Sequence, residues 1–285
     1  MKILTLLLVW GAGSALAQTP DVAVIMAKVG ANQNQAEGKR REYVYTQKQT
    51  LRMIRPGGKV AREEHREYTV TPKAAKTLKE LTHFDGRYQA GSKYVSYDRP
   101  EFRYKGMDID GDLINSLSDD LANDKGSRDG LAANLFPLTE RLQKHYQFLF
   151  KGAETYRGHP VYRVSFEPAP KESLLHDEND EAGIWKGEAL IDSTEFQPVA
   201  VHTSLAFKIP TAVKILLGTN ISGLGYAVSY EKFDDGVWFP VSYGGEFHVR
   251  GLFFYSRTMS VSLVNRDFRK LDVNSKIVYT DDRNQ

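Results

Sequence analysis

The 285-residue chain contains no cysteine. That excludes disulfide cross-links and thiol catalysis, so stability has to come from an ordinary packed core. Charge of either sign is scarcely in excess, with 38 Lys and Arg against 36 Asp and Glu. So small an imbalance makes no field that would gather nucleic acid or an anionic membrane, and no nucleic-acid partner is expected. Long apolar runs are missing too. The one near the start, Ile3 to Trp10, is well short of the roughly 20 residues a membrane-spanning helix needs. None of the seven histidines (65, 83, 145, 159, 176, 202 and 248) falls in an H-E-x-x-H pair, and no G-x-S-x-G follows the leader.

The first residues read as an export signal. Lys2 supplies a positive start, Ile3 to Trp10 an apolar core, and Ala15-Leu16-Ala17 the small-x-small pattern that a signal peptidase cuts. Residues 1–17 are therefore expected to be a cleavable signal peptide, removed before Gln18, with the mature chain periplasmic or secreted. No cysteine follows the cut, which excludes a lipid-modified N-terminus. Cleavage removes Lys2, so the charge stays near balance. The remaining residues, 18–285, show no internal repeat and no linker rich in Pro, Gly or Ser, and are read as one domain.

Along that domain the hydrophobic period changes once. Val22, Ile25, Met26 and Val29 recur at helical spacing, predicting a helix over Asp21 to Arg40. From Tyr43 the pattern alternates, and Pro56-Gly57-Gly58 joins two long strands into a hairpin. The second strand is charged on both faces from Arg62 to Glu67, which predicts that this part of the hairpin projects into solvent. Further strands are expected near Thr77 to Phe84 and Lys93 to Tyr97, then a short helix over Asp112 to Leu121 and a helical turn over Pro137 to His145. A run of strands follows: 146–156, 161–167, 187–192, 198–207, 225–233, 237–247, 252–265 and 276–279. Phe253, Tyr255, Met259, Val261 and Leu263 alternate with serines and a threonine, giving one apolar and one wet face. Few helices over many strands predict a mainly β (α+β) fold, a curved antiparallel sheet under a thin helical lid. That leaves room for a cavity unless the sheet closes as a packed barrel.

The segments Gly152 to Tyr162 and Trp185 to Pro198 are hairpin units, the first with a Gly turn and the second with a polar turn before its proline. With the leader, the first helix, the paired long strands and the helical insert, this order of elements resembles the LolA/LolB superfamily of periplasmic lipoprotein carriers. The resemblance implies an unclosed β-barrel with a helical lid, whose apolar side takes lipid or the acyl chains of lipoproteins, with transient membrane contact. It also implies a competing role. Regulators of envelope-stress signalling share this fold and bind a protein partner through the sheet. No residue matches the family's functional positions one for one, so the lining is read from the alternation. Val201, Leu205, Phe207, Phe253, Tyr255 and Met259 are expected to line the cavity, and Ile215, Leu216 and Leu217 to gate it.

Three other segments bear on chemistry. The apolar run within Lys208 to Tyr226 is either a mobile lid that touches lipid or a buried helix plugging the sheet. Asp108-Ile109-Asp110-Gly111-Asp112 has the carboxylates of a calcium loop. However, its glycine is fourth rather than sixth and Asp119 stands where a bidentate Glu belongs, so these acids are read as a helix start and no metal is expected. His202 approaches Glu246 or His248 only if their strands pair. A carboxylate-based hydrolase leaves no local motif, and neither catalytic residues nor a cofactor are expected.

Overall fold

The computed structural model describes residues 20–72, 77–122, 138–170, 185–206, 219–222, 225–233, 235–251 and 255–271. The leader, the segment 207–218 and the strand expected at 276–279 lie outside these.

The first helix, α1 (Val22–Arg40), starts where Asp21 accepts a hydrogen bond from the backbone N–H of Ala23 at 2.8 Å. It buries Ile25, Met26, Val29, Gln33 and Ala36 along one stripe. The hairpin of β1 (Tyr43–Ile54) and β2 (Val60–Pro72) follows, then β3 (Thr77–Ala90) and β4 (Lys93–Tyr97). Two helices interrupt the strands, α2 (Ile109–Ala122) and the single turn α3 (Glu140–Gln143). The chain then runs through β5 (Tyr146–Tyr156), β6 (His159–Pro168), β7 (Trp185–Asp192), β8 (Pro198–Leu205), β9 (Thr219–Ser222), β10 (Gly225–Lys232), β11 (Trp238–Gly251) and β12 (Tyr255–Lys270). β9 was not foreseen. It falls inside the segment read as lid or plug and pairs with the far end of β11, beyond the reach of β10.

All strands join one antiparallel sheet in the order β4-β3-β2-β1-β12-β11-β10-β8-β7-β6-β5, with β9 on β11. The last strand inserts beside the first. β1 and β12 pair from Tyr43↔Lys270 to Ile54↔Thr258, which locks the two ends of the chain together. Among the described residues β4 and β5 form the edges, and the sheet does not close into a barrel. Its tight coiling shows at Gly187, where a Cβ would stand 1.9 Å from the carbonyl oxygen of His202 on β8.

Both larger helices cover the same face. Leu263 of β12 packs in the cluster under α1 with Ile25, Met26, Val29 and Trp185, while Met259 of the same strand and side packs under α2 with Leu51, Met53 and Ile114. The expected alternation of β12 is present, Met259 and Leu263 being buried and Ser262 exposed. The covered face is not continuously apolar, however. Along β1 its buried residues run Tyr43, Tyr45, Gln47, Gln49, Leu51, Met53. The two glutamines extend into a polar belt: Gln47 donates to Asn265 at 3.1 Å, Ser118 donates to Gln49 at 3.0 Å, and Tyr68 meets Ser118 at 3.2 Å.

The charged part of β2 corrects the expectation of a solvated hairpin. Arg62, Glu63, Glu64 and Arg66 are all buried. On the covered face β3, β4 and α2 enclose the even-numbered residues. On the other face Arg52 and Arg87 from the two neighbouring strands close over Glu63, each within 2.5 Å. Every charge in the run from Arg62 to Glu67 finds an opposite charge, which is why it can leave water.

Candidate functional site

The period of two along β2 places Arg62, Glu64 and Arg66 on one face. One oxygen of Glu64 accepts from Arg62 Nε at 2.9 Å and from the Tyr97 hydroxyl at 2.7 Å. The other accepts from Arg66 Nη2 at 2.6 Å. Arg62 reaches on with Nη1 to Asp108 at 2.6 Å and with Nη2 to the carbonyl of Phe102 at 2.9 Å. Arg66 also donates to Asn115 of α2. Gly86 lets the Tyr97 ring lie flat on β3, where a Cβ would stand 2.4 Å from it. Two guanidiniums and two carboxylates thus balance with almost no water: Arg62 is 1% exposed and Glu64 0%. Burial pushes the Asp108 carboxyl up, but the backbone N–H of Tyr104 and the Arg62 guanidinium outweigh it and hold the group below its ordinary value. The Tyr97 hydroxyl is pushed far up by burial and by the adjacent Glu64. It is a fixed donor.

This cluster pins the segment 102–111 against the sheet, and α2 starts from it. Asp108 caps the helix entry, accepting from Gly111 N–H at 3.1 Å. Asp110 accepts from the Tyr255 hydroxyl at 2.8 Å and from Arg257 Nε at 3.0 Å, tying the same segment to β12. Asp112 takes Arg103. The three carboxylates that suggested a calcium loop are therefore spent on three different arginines. Among the described residues no group of three or more His, Asp and Glu is placed to hold a metal ion.

Between this segment, the β1–β2 hairpin, β3 and β12 lies an open cleft of about 240 Å³. Its apolar wall is Ala61, Tyr88, Tyr104, Met107, Ile109 and Tyr255; its polar groups are Arg55, Gln89, Lys105 and Arg257, over Asp108 and Asp110. Tyr88 and Tyr104 pack ring to ring at 4.2 Å, and Met107 stands 77% exposed at the mouth.

The four expected lining residues that are described, Val201, Leu205, Tyr255 and Met259, fall into two separate groups. Val201 and Leu205 pack in the cluster under α1, and Met259 in the one under α2. Three strand spacings, about 14 Å, separate β8 from β12. Of the expected residues, Tyr255 borders the cleft. Phe207, Ile215, Leu216, Leu217 and Phe253 lie outside the described residues. His202 pairs across to Glu188 and Ala227, with β10 between it and β11, so it meets neither Glu246 nor His248. What the sequence reading missed is the cationic and aromatic side of the cleft. The available signal was the same-face triple Arg62, Glu64, Arg66 beside the equally polar face of Gln47 and Gln49.

No protein-family profile and no curated protein matches the chain. Solved structures do. A domain from Vibrio parahaemolyticus described as an outer membrane lipoprotein-sorting protein is 12% identical, covering 88% of this chain and 95% of that one, with a TM-score of 0.37. A DUF1329 family protein from Desulfovibrio piger is 12% identical over 90% of this chain and 96% of its own, with a TM-score of 0.43. In the MucA/MucB complex of Pseudomonas aeruginosa the figures are 9%, 86% and 99%, with a TM-score of 0.23.

Proposed function

We propose that residues 18–285 are exported to the periplasm as one domain and act there as a non-catalytic binding or carrier protein for a lipid or acylated ligand. The observation that carries this reading is the cleft beside α2, where aromatic and aliphatic walls meet a cationic rim. The lining suits an amphiphile, with apolar contacts to Tyr88, Tyr104, Met107 and Ile109 and polar contacts above them. A volume of about 240 Å³ takes a headgroup and the first part of a chain, leaving the remainder to run over Met107. Each methylene buried there contributes about 0.8 kcal/mol. The belt of Gln47, Gln49 and Asn265 argues against a long acyl tunnel across the helix-covered face.

The test is native mass spectrometry of the mature protein purified from a bacterial host. A co-purifying lipid mass is expected, lost in Met107→Asp while the circular dichroism stays unchanged. A clean apoprotein that also fails to bind acyl probes overturns the reading. That result would favour the second one, a partner-binding envelope module. Its specific support is the free edge strand β4, which leaves Tyr94 and Val95 exposed for an added strand.

A further inference from the structure

The cleft has a charge imbalance that its own residues do not resolve. Six of its lining residues are ionisable acids or bases with opposite signs available: Arg55, Arg62, Lys105 and Arg257 against Asp108 and Asp110. Arg62 is taken by Asp108 and Glu64, and Arg257 by Asp110. Arg55 and Lys105 remain, and among the described residues neither has a carboxylate within ion-pair distance. Lys105 rests over the Tyr104 ring, 4.9 Å from its centre, so its ammonium is held beside the cleft by a cation–π contact.

Among the described residues, two buried polar atoms at the same place lack a hydrogen-bond partner. They are Nε of Arg55 and Oε1 of Gln89, both from residues lining the cleft. A buried donor without an acceptor is costly, and more so on a charged group. The Arg55 guanidinium, half-buried at the cleft, has no internal carboxylate among the described residues, and an oxyanion in the cleft would pair with it. No comparable acceptor is supplied by the floor, because Asp108 and Asp110 are already engaged.

We infer that the cleft recognises a phosphate- or carboxylate-type oxyanion at the head of an amphiphile, held by Arg55 and Lys105. This rests on the proposed amphiphile-binding role and adds the chemistry of the head. The apolar lip, Tyr104 at 41% and Met107 at 77% exposure, gives the attached chain its way out. Since both cations are partly exposed, the attraction is screened by salt.

Isothermal titration of the mature protein with three probes separates the possibilities: dodecyl phosphate and dodecyl maltoside, each below its micelle concentration, and inorganic phosphate. Dodecyl phosphate is expected to bind about tenfold tighter than dodecyl maltoside. The ratio should shrink between 50 and 500 mM salt and vanish in Arg55→Gln/Lys105→Gln, with dodecyl maltoside unaffected. Both side chains project from turns, and unchanged near-ultraviolet circular dichroism would verify folding; Lys105→Gln alone serves as the milder variant. Equal binding of the two dodecyl compounds overturns the oxyanion inference and leaves the amphiphile reading standing. Inorganic phosphate binding as tightly as dodecyl phosphate keeps the oxyanion site and overturns the amphiphile reading. Binding of none of the three overturns both.

Discussion

Replacing Glu64 with Gln tests whether the β2 charges form a desolvated cluster. The substitution keeps the volume and removes the charge. Glu64 now accepts from Arg62, Tyr97 and Arg66 with its two oxygens, at 2.6 to 3.1 Å. In Glu64→Gln one of those oxygens becomes an amide nitrogen, so donors face donors on one side. Two buried guanidiniums are left with Asp108 as their one anionic partner. Breaking a buried pair in this way costs about 3 to 5 kcal/mol. In a domain of this size each kcal/mol moves Tm by about 2 to 4 °C, so a fall of roughly 6 to 20 °C is expected. Urea unfolding followed by tryptophan fluorescence gives the free energy, and an unchanged m value shows that the native state is still compact. The apolar triple variant Arg62→Met/Glu64→Leu/Arg66→Met removes all three charges together. It should recover most of the loss, because desolvation of the ions offsets much of their attraction. Asp108 keeps the N–H groups of Tyr104 and Gly111 in that variant. A Glu64→Gln protein within about 1 kcal/mol of the parent would refute the idea that this cluster is dry.

Two further predictions concern acid and curvature. Burial pushes the Glu63 carboxyl up, but Arg52 and Arg87 outweigh it and lower it from 4.5, and Asp108 is lowered from 3.8. The unfolded chain therefore binds these protons first as pH falls, and the stabilisation present above about pH 5 is lost as pH falls through 4 towards the folded values. Urea midpoints between pH 7 and 3 should show it, with a smaller acid loss in Arg52→Met; a flat profile would contradict the pairing. Gly187→Ala forces a methyl into the carbonyl of His202 and should cost 2 kcal/mol or more, while Gly38→Ala, on the exposed side of α1 with nothing within 4 Å, should gain about 0.5 to 1 kcal/mol. Thermal melts of the two variants in parallel decide both, and similar shifts would mean the sheet is not coiled as described.

What could be read along the chain was whatever depends on neighbours a few residues apart. α1 follows from Val22, Ile25, Met26 and Val29, the β1–β2 turn from Pro56-Gly57-Gly58, and the wet and dry faces of β12 from alternation. The charges of β2 were misread because their fate depends on distant partners. Arg62 meets Tyr97 and Asp108, which lie 35 and 46 residues on. A charged strand looks solvated until its counter-charges are known. Strand order raises the same difficulty. Nothing local predicts that β12 inserts beside β1, or that β10 separates His202 from His248. The expected lining was read from the apolar side of the strand alternation, where residues such as Val201 and Met259 pack in the core. The cleft instead draws on an arginine from a turn, tyrosines from β3 and the 102–111 segment, and one tyrosine from β12.

The cluster and the cleft are parts of one device. The 102–111 segment has neither helix nor strand before Ile109, and such a segment would ordinarily lose considerable freedom on closing over a ligand. Here it is fastened before any ligand arrives. Arg62 holds it at Phe102 and Asp108, Tyr97 stacks on Phe102 with ring centres 4.6 Å apart, and Tyr255 with Arg257 hold it at Asp110. The wall that carries Tyr104, Lys105 and Met107 is thus rigid at both ends. Under the proposed function, binding in the cleft requires little ordering of the protein, and discrimination falls to Arg55 and Lys105, which have no carboxylate partner among the described residues. Glu64→Gln loosens Arg62 and with it the wall, so it should weaken every dodecyl probe alike. Arg55→Gln/Lys105→Gln leaves the wall intact and should weaken the anionic one alone.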